Sequence, residues 1–206
     1  MMKMLPKYLS KIISLLFVFV FTSTIINAQI KIGLNGGANF STFTISGGIA
    51  NVTLKRKIGF SVGAIAEYPL LNNLSIRLNF GYLQRGAQNT VENDNTLYFN
   101  YVELSPYLTY NVINSDIIAK IIIGLSFGHL LNAKTNRRGI DINLKDYFLL
   151  FNIAPNFGLE IEKTILKKTS LIINGTYSFG LKDISKIGVG QKTSDINLKI
   201  GFLYNL

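Results

Sequence analysis

Apolar and polar residues alternate with a period of two along most of this chain. From Ile30 to Ser41, one face carries Ile30, Ile32, Leu34, Ala38 and Phe40, and the other Lys31, Asn35, Asn39 and Ser41. The same pattern recurs over residues 58–68, 74–85, 101–110, 119–128, 149–160, 171–179 and 195–206. Such alternation marks strands with two unlike faces. The chain therefore predicts eight strands of about ten residues each, a length that fits a membrane-crossing strand.

The connections alternate as well. Residues 69–73, 111–116 and 162–168 are short, whereas 42–57, 88–98, 132–145 and 181–192 are longer and rich in Gly, Asn, Lys and Asp. A soluble sandwich has no reason to gather every long loop at one end. A transmembrane barrel does, with an even strand number, short turns on one side and long loops on the other. With the first strand running outward, Tyr68, Tyr110 and Tyr204 fall on the apolar face at the turn ends of their strands. Phe40, Phe60, Tyr82, Phe127 and Phe179 fall on that face at the loop ends, and the middles are Val, Ile, Leu and Ala. Two aromatic girdles around an aliphatic band suit a surface that faces lipid.

Composition narrows the classes. Of 206 residues, 48% are hydrophobic and 16% charged, which excludes a disordered chain. The absence of cysteine excludes disulfides and thiolate metal sites, and the single His129 excludes a multi-histidine centre. No cofactor is expected. The formal charge is +10. Lys3, Lys7 and Lys11 precede an apolar run over 12–26 that ends in Asn27-Ala28-Gln29. A basic head, a short apolar core and a small residue at the junction predict a signal peptide over 1–28, cleaved after Ala28. The run falls short of the roughly 20 apolar residues that a spanning helix needs. The mature domain is then 29–206.

Several residues carry a resemblance. Gly63 and Glu67, Gly81-Tyr82 with Gly86, Asn100-Tyr101-Val102-Glu103-Leu104, Gly124, Gly128, Leu130-Leu131 and Gly158-Leu159-Glu160 follow one another in a familiar order. Over 29–206 the chain resembles the PorT-like bacterial outer-membrane β-barrel family. It departs where Ser105 precedes Pro106, since the family's proline follows the Tyr-x-Glu-x segment directly. The resemblance implies an outer-membrane location, an eight-stranded barrel, no catalytic residues and, in some members, a part in protein secretion. Lys199-x-Gly201-x-x-Tyr204-x-Leu206 resembles the terminal-strand signal by which barrel assembly machinery recognises its clients.

An eight-stranded barrel has a lumen just wide enough for side chains to fill. The inward face is expected to carry Lys31, Glu67, Arg77, Arg85, Glu103, Lys120, Asp146, Glu160, Asp195 and Lys199. Lone buried ions are costly, so these should pair into a network that plugs the lumen, with Arg77 bridging Glu67 across the first short turn. A Ser–His hydrolase built on Ser126 and His129 is rejected, because residues three apart on a strand face opposite ways. The Gly36-Gly37 and Gly47-Gly48 pairs lack the lysine and following helix of a phosphate loop.

The longer loops are basic, through Lys55, Arg56, Lys57, Lys134, Arg137, Arg138, Lys182, Lys186 and Lys192. Above an anionic leaflet they would favour lipopolysaccharide as a partner. Nucleic acid is not expected, since no basic–aromatic groove motif occurs. The sequence thus predicts an all-β protein, an eight-stranded antiparallel up-and-down transmembrane β-barrel of OmpA- or OmpX-like size, with periplasmic termini. Its expected role is structural, adhesive or ligand-contacting through the longer loops. The alternative is an accessory component of a secretion machine, and a narrow pore ranks third.

Overall fold

A computed structural model describes residues 30–46, 52–88, 95–137, 140–186 and 190–206. The expected signal peptide over 1–28, the Gly47-Gly48 pair and Arg138 lie outside these residues. Eight staves follow in chain order: β1 (Lys31–Ser46), β2 (Lys55–Leu71), β3 (Leu74–Gln88), β4 (Asn95–Asn114), β5 (Ile117–Arg137), β6 (Phe151–Leu166), β7 (Thr169–Phe179) and β8 (Gly190–Asn205). Each pairs antiparallel with its neighbour, and β8 returns to β1 over the register Lys31–Asn205 to Ser46–Gly190. That last ladder removes both sheet edges and closes an up-and-down barrel.

The pleat sorts the side chains as the alternation predicts. In β2, Ser61, Gly63, Ile65 and Glu67 are buried, while Val62, Ala64 and Ala66 are exposed. The lumen is polar, and the outer wall is aliphatic, with Leu34, Val62, Leu78, Ile123, Leu159 and Leu198 all exposed. This inversion of a soluble protein's plan is stable only where the outer wall meets hydrocarbon. Glycines let staves approach closely. A Cβ at Gly81 would collide with the Val62 carbonyl oxygen, and one at Gly124 with that of Pro106.

Four expectations need correction. The staves run 11 to 21 residues, well beyond the expected ten or so, because ladders continue above the lipid band where alternation fades. The described residues of the segments 42–57, 88–98 and 132–145, expected as loops, are therefore largely extended. Val52–Thr53 pairs with β1, and Ile140–Asn143 folds back on β5 as a hairpin. Asp146 is not inward: it lies exposed in a single 3₁₀ turn, Lys145–Tyr147, ahead of β6. The aliphatic band is also interrupted by Phe157, 48% exposed in mid-stave.

The short connections tighten to Asn72-Asn73, Ser115-Asp116 and Lys167-Lys168. Each hairpin slips register just before its turn, at Pro69/Leu71, Asn111/Ile113 and Thr164/Leu166. Such bulges bend the strands toward closure.

Candidate functional site

The inward side chains of the lumen are arranged at three levels, the first two of them polar. Nearest the short turns, antiparallel register sets Glu67 opposite Arg77 and Lys120 opposite Glu160. Arg77 donates from Nε to Glu67 Oε2 at 2.6 Å. It also reaches Glu160 with both Nη atoms, at 2.6 Å each. Lys120 Nζ bonds Glu67 Oε1 at 2.8 Å and lies 2.6 Å from Glu162 Oε2. Lys31 Nζ closes the ring on Glu162 Oε1 at 2.7 Å, and Asn174 Nδ2 donates to Glu160. Three cations and three carboxylates form one belt. The bidentate fork of Arg77 makes it directional as well as neutral.

A second belt lies toward the longer loops. Arg85, 1% exposed, meets Glu103 Oε1 and Asp195 Oδ2 at 2.7 Å each, and its guanidinium sits 4.8 Å from the Tyr101 ring centre. Ser178 donates to Asp195. Between the belts lies Lys199, which makes no ion pair with any described residue. It lines two small cavities, of about 20 and 10 Å³, with Asn79 and Tyr107. The larger also touches Glu103 and Ser126. Each holds about one water at most.

The third level is apolar, and the sequence did not announce it. Phe43, Ala87, Phe99, Tyr101, Leu130 and Ala133 point inward above the second belt, and Phe148 and Ile184 descend onto them. The Phe99 ring packs edge-on against Phe43 at 4.9 Å and Phe148 at 4.7 Å. Leu149 N–H donates to Ile184 O, and Lys186 N–H to Tyr147 O, so the two incoming segments also bond each other. The result is a hydrophobic cap on the loop-side mouth.

Other expected residues take the following places. Phe60, Tyr110, Phe127, Phe179 and Tyr204 are exposed on the outer face, while Phe40, Tyr68 and Tyr82 are half-buried there. The Phe60 and Tyr82 rings lie 5.3 Å apart. Gly201 faces inward, and a Cβ there would meet the Leu34 carbonyl oxygen. Leu206 donates its N–H to Ile30 O. Ser126 faces the lumen, bonded to Ser105 at 2.7 Å and to Asn156 at 2.8 Å, whereas His129 faces outward against Phe151. The two do not meet. Among the described residues, no group of three acidic, histidine or cysteine side chains could hold a metal.

Glu162 was missed because it was assigned to the turn. Its parity with Glu160, two residues earlier on the same stave, was the available signal. Phe148 and Ile184 carried none, since they enter the lumen from loops.

A closed eight-stave barrel with an aliphatic wall and a polar lumen is the architecture of a small outer-membrane protein. The family model described as "Outer membrane protein beta-barrel domain" matches residues 27–186, and the chain belongs to that family. Its place is the outer membrane. Neisserial surface protein A is similar in structure (TM-score 0.51, 12% identity, covering 87% of this chain and 99% of that one). So is the outer membrane protein OprG of Pseudomonas aeruginosa (TM-score 0.54, 12% identity, covering 86% and 96%). A major outer membrane protein of Thermus thermophilus has a TM-score of 0.53 at 12% identity, covering 87% and 99%. At these identities the likeness is one of fold. No curated relative matches the sequence.

Proposed function

We propose that this barrel is a sealed, non-catalytic scaffold that acts through its loop-side surface and serves a structural, adhesive or ligand-contacting role. The observation that carries it is the lumen, closed in series by two ion-pair belts and an apolar cap. A buried, paired network of this kind fixes register and excludes ions. Purified protein in planar bilayers should show no steady current. Large open-channel conductance would overturn the reading.

On this reading a signal peptide is cleaved after Ala28, the short turns and both termini face the periplasm, and the longer strands reach outward. The aromatic residues anchor the two membrane interfaces, and Lys199, Gly201, Tyr204 and Leu206 form the strand that assembly machinery recognises. Lys55, Arg56, Lys182 and Lys192, all exposed, give the loop side its attraction for lipopolysaccharide. Tyr101 and Glu103, from the segment that carries the PorT-like resemblance, both contact Arg85. The resemblance, rather than these contacts, is what supports a secretion-machine component as the second reading. Crosslinking in intact cells separates the two: stoichiometric secretion subunits favour the second, and lipopolysaccharide alone the first.

A further inference from the structure

The outer wall is not evenly filled. Across β6, β7, β8 and β1 lies an open apolar groove of about 460 Å³, walled by Leu159, Ile161, Ile173, Leu198 and Ile200. Its floor is open because Gly175 on β7 and Gly36 on β1 present no side chain. A Cβ at Gly36 would approach nothing closer than the Ser61 carbonyl oxygen at 3.4 Å, and one at Gly175 would reach Leu198 Cδ2 at 3.3 Å. A Cβ at Gly36 would thus make an ordinary contact, and one at Gly175 would need the flexible Leu198 side chain to give by a few tenths of an ångström, so neither glycine is held by a backbone clash. The depression sits within the lipid-facing band, so its occupant is a hydrocarbon chain.

The foot of the groove says which kind. One outward position below Ile161 on β6 is Lys163, exposed and paired across the ladder with Leu171. Beside it the turn Lys167-Lys168 brings the Lys168 ammonium 5.7 Å from the Tyr204 ring centre on β8. None of these three lysines pairs with an acid among the described residues. Long cationic side chains at the end of an apolar trough reach along the strand toward the headgroup layer.

We propose that the groove and the lysines at its foot bind one anionic glycerophospholipid, with an acyl chain along Gly36 and Gly175 and the phosphate against Lys163 and Lys168. The choice of phospholipid over lipid A rests on the reading above that the short turns face the periplasmic leaflet.

The full mature chain, in nanodiscs of phosphatidylethanolamine and phosphatidylglycerol, is extracted into detergent and its retained lipid counted by native mass spectrometry. Phosphatidylglycerol should be enriched over phosphatidylethanolamine. Lys163→Gln with Lys168→Gln should remove that preference, lowering phosphatidylglycerol retention about fivefold per lysine. Gly36→Leu with Gly175→Leu should release both lipids while the protein keeps its heat-modifiable gel migration. Unchanged retention in either double variant would overturn the site, as would a dimer that excludes lipid from the groove. Lipid A displacing phosphatidylglycerol in mixed nanodiscs would overturn the choice of lipid. Protease accessibility of the turns in intact cells tests the orientation by itself, so the two failures are distinguishable.

Discussion

Arg77 sits where three constraints meet. It is 3% exposed, it satisfies Glu67 on the adjacent stave and it grips Glu160 across the lumen with two bonds. Arg77→Ala would leave two buried carboxylates underpaired, Glu67 with Lys120 and Glu160 with Asn174 and the more distant Lys120. The expected loss is about 3–5 kcal/mol, read as a lower urea midpoint by circular dichroism in vesicles. Lys199 offers the opposite case, since it makes no ion pair with a described residue. Lys199→Met should change stability by less than about 1 kcal/mol by the same measurement. The inward face of both residues was legible from parity alone. Which cation has partners was not, because that depends on stagger between staves that are distant in the chain.

Two segments beyond the lipid band are expected to open as separate units. The cap holds Phe148 and Ile184 by packing and by the backbone hydrogen bonds Leu149 to Ile184, Lys186 to Tyr147 and Ile184 to Gln191, and among the described residues its strand pairing is limited to the Phe148–Ser185 bridge. Phe148→Ala should speed hydrogen exchange at the Leu149, Ile184 and Lys186 amides at least tenfold, while amides within the barrel ladders stay protected. The hairpin of β5 and Ile140–Asn143 is tied by Lys134 Nζ to Asp141 Oδ2 at 2.6 Å and by Asn136 to Asp141 Oδ1 at 2.7 Å. Those hydrogen bonds hold the Asp141 carboxyl below its ordinary range and raise the Lys134 ammonium above its own. A depressed carboxylate stabilises the hairpin above its unfolded value, and that support is lost as pH falls through the folded one. Exchange of the Asn136 and Asp141 amides, corrected for intrinsic rate, should stay level from pH 5 to 9 and quicken below about pH 4. Faster exchange already at pH 6 would refute the pairing. Neither unit is expected as an element from the sequence: the hairpin falls in a segment expected as a loop, although Ile140, Ile142 and Leu144 alternate with polar residues, and the cap joins Phe148 and Ile184 from two segments distant in the chain.

Closure in series has a consequence for the barrel as a conduit. Arg77→Ala alone, Arg85→Ala alone, or removal of residues 181–186 alone should each leave planar bilayers silent, because two seals remain. The three changes together should give measurable current, provided gel migration shows a folded barrel. Current from any single change would mean that only one level blocks the lumen. What the sequence by itself determined was the strand count, the two faces of each strand, the side of the short turns and the apolar wall. All of these follow from a period of two and from which residues hydrocarbon accepts. The tertiary structure decided the partners of each ion, the inward descent of Phe148 and Ile184, and the groove over Gly36 and Gly175. Those depend on register around a closed ring, where neighbours across the lumen or along the wall are set by stagger and not by distance along the chain.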